Sequence, residues 1–150
     1  MAHLKDQKAS PDNSAVLSLL CQAPAEEVKA LADQMLPALV KLGSLEVVHN
    51  RTGLVMLPYR DTVQGTRFHL GEALVAEGRV RQGALTGYGA CLGRDLEQAL
   101  AVALLDLACQ QRVEAPRLRA FLNGQAARQQ AAQDLLLRKV ESTRVQLETF

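Results

Sequence analysis

Glycine is distributed so unevenly along this chain that it divides the fold into three parts. Eight of the ten glycines fall between Arg51 and Arg94, a stretch that also holds six arginines, three acids and no lysine. Such a stretch reads as short extended segments joined by turns, and it concentrates positive charge that the whole chain lacks. Over all 150 residues, 17 Lys and Arg stand against 16 Asp and Glu. No global field is therefore available to hold nucleic acid or an anionic membrane surface. At this length the chain can bury one ordinary core, so residues 14–150 are expected to form a single domain behind a polar tail at 1–13.

Within the glycine-rich stretch, residues 45–49 and 54–59 are apolar and partly β-branched. Asn50-Arg51-Thr52-Gly53 between them supplies turn chemistry, which predicts a hairpin. Pro58 removes a ladder donor, so its strand belongs at an edge or a bulge. Residues 61–66 predict a second turn, 67–70 a third strand, and 74–92 further extended segments. In the last of these, Tyr88, Ala90 and Leu92 give one face bulk, while Gly87, Gly89 and Cys91 leave the other nearly bare. A bare face permits close backbone approach.

The flanks read as helix. Val16, Leu19 and Leu20, then Val28, Leu31, Met35 and Leu39, recur at helical spacing, with Pro24 near the start of a second helix. Asp95 is placed to cap a helix over about 95–111, with Gln98 three residues on. Leu96, Ala99, Leu100, Ala103, Leu104 and Leu107 give that helix a broad apolar face. Pro116 restarts helix, and only Gly124 interrupts the pattern from there to Phe150. A helix of that length, at about 1.5 Å per residue, exceeds what one small core covers, so part of it is expected to pack on another chain. The fold class is α+β: a small antiparallel sheet over about 45–92 packed with N-terminal helices, the 95–111 helix and a long C-terminal helix.

The residues for a self-contained active site are missing. His49 and His69 sit on predicted strands without metal-ligand spacing, and His3 lies in the tail. Cys21, Cys91 and Cys109 are odd in number and lack C-x-x-C spacing, which reads as reduced core thiols. No serine stands in a G-x-S-x-G turn. Glu26 and Glu27 open a helix, where acids oppose the dipole favourably. Glu72 and Glu77 read as solvated acids. No apolar run reaches the roughly 20 residues of a membrane span, and the opening residues run polar without a signal-peptide pattern, so export is not expected. A cytoplasmic protein is expected. The strongest local feature is Gly87-Tyr88-Gly89-Ala90-Cys91-Leu92-Gly93-Arg94-Asp95, a glycine-rich strand entering a helix. It has neither the P-loop Lys-Ser/Thr nor the Rossmann register. Two readings follow: amide donors with Arg94 holding phosphate, or a tight strand-to-helix connection in which the glycines relieve crowding.

Several of these residues, in order and spacing, resemble the PhnG family: Thr52-Gly53-Leu54-Val55, Arg67-Phe68-x-x-Gly71-Glu72, Gly87-Tyr88 and Leu92-Gly93-Arg94-Asp95. The likeness continues through Ala99 and Ala103-Leu104-Leu105-Asp106 to Thr143-Arg144-Val145. It departs in the first helix, which lacks the family's aromatic residue, and after the final Arg-Val. Contacts at both ends are expected to differ in detail. The resemblance implies a subunit of the bacterial carbon-phosphorus lyase system, acting with PhnH-, PhnI- and PhnJ-like subunits and with PhnL assisting. Those components displace adenine from ATP by methylphosphonate, giving a ribose 1-methylphosphonate 5-triphosphate. ATP is then a substrate of the complex, the iron-sulfur cluster and S-adenosylmethionine belong to a partner, and this chain binds no cofactor alone. Carried onto this sequence, Arg67, Glu72, Gly87, Gly93, Arg94, Asp95 and Arg144 are the binding or interface candidates. No catalytic or metal residue is assigned. Arg67 and Arg94 are candidates for a shared triphosphate site, and the bland alternative makes Asp95 a cap and Arg67 and Glu72 surface ion pairs. The competing function is a free-standing homodimeric interaction protein pairing through the C-terminal helix.

Overall fold

The computed structural model describes residues 11–144, with side chains from Ser14 onward. The elements run α1 (Pro11–Gln22), α2 (Ala25–Leu42), β1 (Glu46–Arg60), β2 (Arg67–Gln82), β3 (Leu85–Leu92), α3 (Leu96–Gln111) and α4 (Ala115–Ser142). The α+β class holds: the strands form one antiparallel sheet in the order β1-β2-β3. The end of the expected C-terminal helix beyond 144 and the tail residues 1–10 lie outside the described residues. Helix α1 starts at Pro11, inside the expected tail.

Helix α3 is the centre of the molecule. Its sequence LEQALAVALLDLACQQ is apolar almost all round, and such a helix must be covered on every side. Ala99, Ala103 and Leu107 meet the sheet, and Val102, Leu105 and Ala108 complete its buried surface. Leu20, Val28, Leu31, Met35 and Leu39 from α1 and α2 close the core from other sides. A buried polar chain ties the layers together: Gln111 donates to Gln82 Oε1, and Gln82 Nε2 donates to the carbonyls of Leu39 and Gly43. Satisfying those end carbonyls of α2 fixes where the first strand begins.

The expected turn at Asn50–Gly53 does not form. β1 runs straight through it, with Asn50 opposite Gly78, Arg51 opposite Glu77 and Gly53 opposite Val75. The residues have turn chemistry, but β2 is long enough to pair with all of them, and Gly53 does not adopt the positive φ that a tight hairpin turn requires. The 61–66 turn does form. Asp61 accepts from the amides of Val63 and Gln64, and Gly65 takes φ 68°. Pro58 stands on an edge strand beside a register shift, as its missing donor requires: Leu57 faces Gly71 while Pro58 faces His69, so Leu70 is an extra residue on β2.

Strand lengths are unequal, and that shapes the molecule. β3 pairs with β2 only from Val75 to Gln82. Beyond Val75, β1 and β2 continue alone to the 61–66 turn as a two-stranded arm, projecting about 25 Å at 3.3 Å per residue. α4 does the same in helical form. Its last buried residue is Gln125, and every residue from Gln130 to Arg144 is exposed.

Candidate interaction site

The glycine-rich strand is the best-built part of the candidate region. A Cβ at Gly87 would meet the Ala103 carbonyl and lie 2.9 Å from Leu107 Cβ. A Cβ at Gly89 would meet the Ala99 carbonyl and lie 2.8 Å from Val102 Cβ. The bare face thus exists for α3 to lie against the strand backbone. Gly93 then turns the chain with φ 95°, its amide donating to the Leu74 carbonyl at 2.8 Å. Asp95 caps α3 by accepting from Gln98 N at 2.9 Å. The reciprocal half of a capping box is not made, because Gln98 Nε2 reaches instead to the Ala23 carbonyl. Lys29 lies 2.8 Å from Asp95 Oδ2, and this partner first, then the Gln98 amide, holds the carboxyl below its ordinary range. A carboxylate already occupies the amide end of the helix. The strand-to-helix connection, and not a phosphate cradle, is what the geometry supports.

Arg94 is exposed beside that junction with no side-chain partner among the described residues. Arg67 is far from it, at the base of the 61–66 turn and opposite Arg60. Arg67 is eight residue steps from Val75, where β3 ends, so about 25 Å separates the two arginines along the arm. One chain does not bring them together. Nor do Arg67 and Glu72 make ion pairs: both are exposed on the arm and neither has an ionic or hydrogen-bond partner among the described residues. Arg144, at the end of α4, lies 3.2 Å from Glu141.

The arm has two unlike faces. Residues directly opposite share a face, and β1 is regular from Leu54 to Arg60. One face therefore carries Val55 with Ala73, Leu57 with Gly71, and Tyr59 with Phe68, whose rings meet edge-on at 5.5 Å. It is wholly apolar. The other carries Leu54 with Leu74, Met56 with Glu72, Pro58 with His69, and Arg60 with Arg67. Leu54 is 64% exposed, Met56 59% and Phe68 45%. On α4, Leu135, Leu136, Leu137 and Val140 are likewise more than half exposed. Contiguous apolar surface of this kind marks interaction sites. The α1 and α4 helices also leave an open cleft of about 600 Å³, lined by Val16, Leu19, Leu118 and Leu122 with Arg112 and Arg119 at the rim.

One cluster was not legible in the sequence. On the sheet face away from α3, Glu77 receives Arg51 Nε at 2.6 Å, with His49 Nε2 at 3.5 Å and the Tyr88 hydroxyl at 3.4 Å. Arg79 lies over the Tyr88 ring at 5.8 Å. Glu77 is thus a paired, largely covered acid and not a solvated one, and only the strand register reveals it. Arg51 first, then its charge and that of His49, holds the Glu77 carboxyl below its ordinary value. A carboxylate so held is a poor proton acceptor. Burial, with Glu77 adding to it, pushes the Tyr88 hydroxyl up. The three cysteines are free thiols. Burial raises them all, Cys109 to about 11, so none is a ready nucleophile at neutral pH.

Among the described residues no group of three His, Cys, Asp or Glu could hold a metal ion, and no helix is long and apolar enough to cross a membrane. Residues 12–150 match the family model described as phosphonate metabolism protein PhnG. No curated protein matches the chain.

Proposed function

The chain belongs to the PhnG family of phosphonate metabolism proteins, and from that premise we propose that it is an assembly subunit of a cytoplasmic carbon-phosphorus lyase core complex. In this reading it works with PhnH-, PhnI- and PhnJ-like subunits, assisted by PhnL, while adenine is displaced from ATP by methylphosphonate. ATP is a substrate of the assembled complex. The iron-sulfur cluster and S-adenosylmethionine serve the PhnJ-like subunit. This chain is a required structural partner in that transferase complex, with Arg67, Glu72, Arg94 and Arg144 as contact residues.

The observation that supports the reading is the pair of projecting arms. A two-stranded ribbon is marginal in water unless a third strand or another packed element supports it, and an isolated helical extension gains little from propensity alone. A single-chain catalyst has no use for two such extensions. A subunit that joins others does.

Co-expression with a PhnI-like chain tests it. The expected result is a complex that survives size exclusion, and one that Leu136→Asp on the exposed half of α4 disrupts without lowering the melting temperature of the isolated chain. A chain that elutes alone and monomeric beside its companions would overturn the proposal. Arg94→Ala sharpens it further, because unchanged ATP affinity and turnover in the assembled complex would remove Arg94 from any shared site.

A further inference from the structure

The strand edges of this sheet are treated unequally. Along β3 the outer edge is blocked by α3: the Asp106 carboxylate accepts the Tyr88 amide at 2.9 Å, and Gln110 Nε2 donates to the Thr86 carbonyl at 2.9 Å. Along β1 the outer edge carries the extra residue Val48 near one end and Pro58, which has no N–H, near the other, and runs unbroken from His49 to Leu57 between them. A further free edge is that of β2 over residues 67–73, where β3 has ended. No proline lies there and among the described residues no side chain caps it, and its one irregularity is the extra residue Leu70.

Two charged residues mark this edge. Arg67 and Glu72 are both unpaired among the described residues, and both stand on the mixed face of the arm, since Arg60 and Met56 opposite them share that face of a regular strand. In a regular β2, residues five apart would point to opposite faces. The extra residue Leu70 puts them on the same one. A second copy set antiparallel along this edge, with a two-fold axis between residues 69 and 70, then places Arg67 opposite Glu72 of the second copy. Phe68 falls opposite Gly71 of the second copy, and symmetry repeats both pairs. Without the bulge this register would set side chains from opposite faces against each other. The pairing also gives Arg67 an acid on its open side, to offset Arg60, the like charge it now faces alone.

We propose that residues 67–73 of β2 form a homodimerisation edge, at which two copies join their arms into a four-stranded antiparallel sheet. Each ribbon gains the neighbour it lacks, and the interface is isologous, as two-fold dimers require. The apolar face of Val55, Leu57, Tyr59 and Phe68 stays open on the doubled sheet. The inference does not depend on other subunits, because one kind of chain supplies both halves.

Sedimentation velocity of the full-length isolated chain over a concentration series tests it. Wild type should show a monomer–dimer equilibrium. Arg67→Glu and Glu72→Arg should each weaken the dimer by about tenfold or more, since each sets like charges together twice. The double variant, with the charges exchanged, should return to within about threefold of wild type. Thermal melts at concentrations where the wild type is monomeric should be unchanged in all three, as both residues are exposed. An Arg67→Cys/Glu72→Cys variant should give a covalent dimer under mild oxidation, and Arg67→Cys alone should not. Wild type that stays monomeric, a dimer indifferent to both single variants, or single losses that the exchange does not repair would each overturn the proposal. The second outcome would point to α4 as the dimer surface, the third to an edge built for a different protein.

Discussion

Two pairs of glycines lie in the same sheet and meet opposite fates. Gly87 and Gly89 lie under α3, and an added Cβ at either would enter the helix backbone. Gly53 and Gly71 lie on or next to the arm, and an added Cβ would meet nothing within 4 Å. A strand glycine costs roughly 0.5–1 kcal/mol relative to a residue with a side chain, so it is expected where something approaches closely. For β3 the approaching element is in the chain. For the arm no described residue approaches, which makes the arm look like the β3 surface with its helix removed. The contrast separates a surface that the fold covers from one that the described residues leave open.

The largest expected effect comes from filling the covered glycines. Gly89→Val should destabilise the chain by about 4 kcal/mol or more, or prevent folding, because the clash is with main-chain atoms that cannot shift without moving α3. Gly71→Val in the isolated chain should raise stability, by up to about 1 kcal/mol, because the side chain meets nothing and a β-branched residue suits a strand. Denaturant unfolding of both variants measures the difference. Equal losses at the two positions would end the comparison.

Truncating apolar side chains gives the next effect in size. Leu105→Ala in α3 should lose about 2–5 kcal/mol, as transfer and cavity costs add at a fully buried site. Leu54→Ala on the arm should stay within about 0.5 kcal/mol in the isolated chain. A large loss at Leu54 would mean that the arm is already covered within the free protein.

The covered half was legible in the sequence because its signals are local. The alternation of Gly87 and Gly89 with Tyr88 and Ala90, the cap at Asp95 and the all-apolar run of α3 each need only a few neighbouring residues to interpret. The arm was legible in pieces only. Asn50-Arg51-Thr52-Gly53 has the chemistry of a turn and lies inside a strand, because β2, twenty-odd residues further on, is long enough to pair past it. The same nonlocal register decides that Glu77 meets Arg51 and His49, and that Leu70 is an extra residue turning Arg67 and Glu72 to one face. Arg67 and Arg94 look like neighbours in a list of motifs, yet the length of the arm parts them.

Glu77 stands where the two regimes meet, opposite Arg51 on β1 and Ala90 on β3, two rungs before the sheet narrows. It supplies the smallest effect. Its carboxyl is held below the ordinary value of 4.5 by Arg51. A depressed folded-state value means that the unfolded chain binds the proton first, so the contribution is complete above about pH 5 and is lost as pH falls through the lowered value. Other carboxyls, Asp95 among them, titrate in the same acid window, so the informative quantity is the difference between wild type and Glu77→Gln. That difference should be roughly 1 kcal/mol at neutral pH, limited by solvent around Arg51, and should shrink towards pH 3. In the variant, amide exchange should quicken at Thr52 to Leu57 and stay unchanged at Val80 and Leu105. A loss spread evenly over both halves would mean that the sheet does not divide there, and a difference independent of pH would remove Arg51 and Glu77 as the clasp between them.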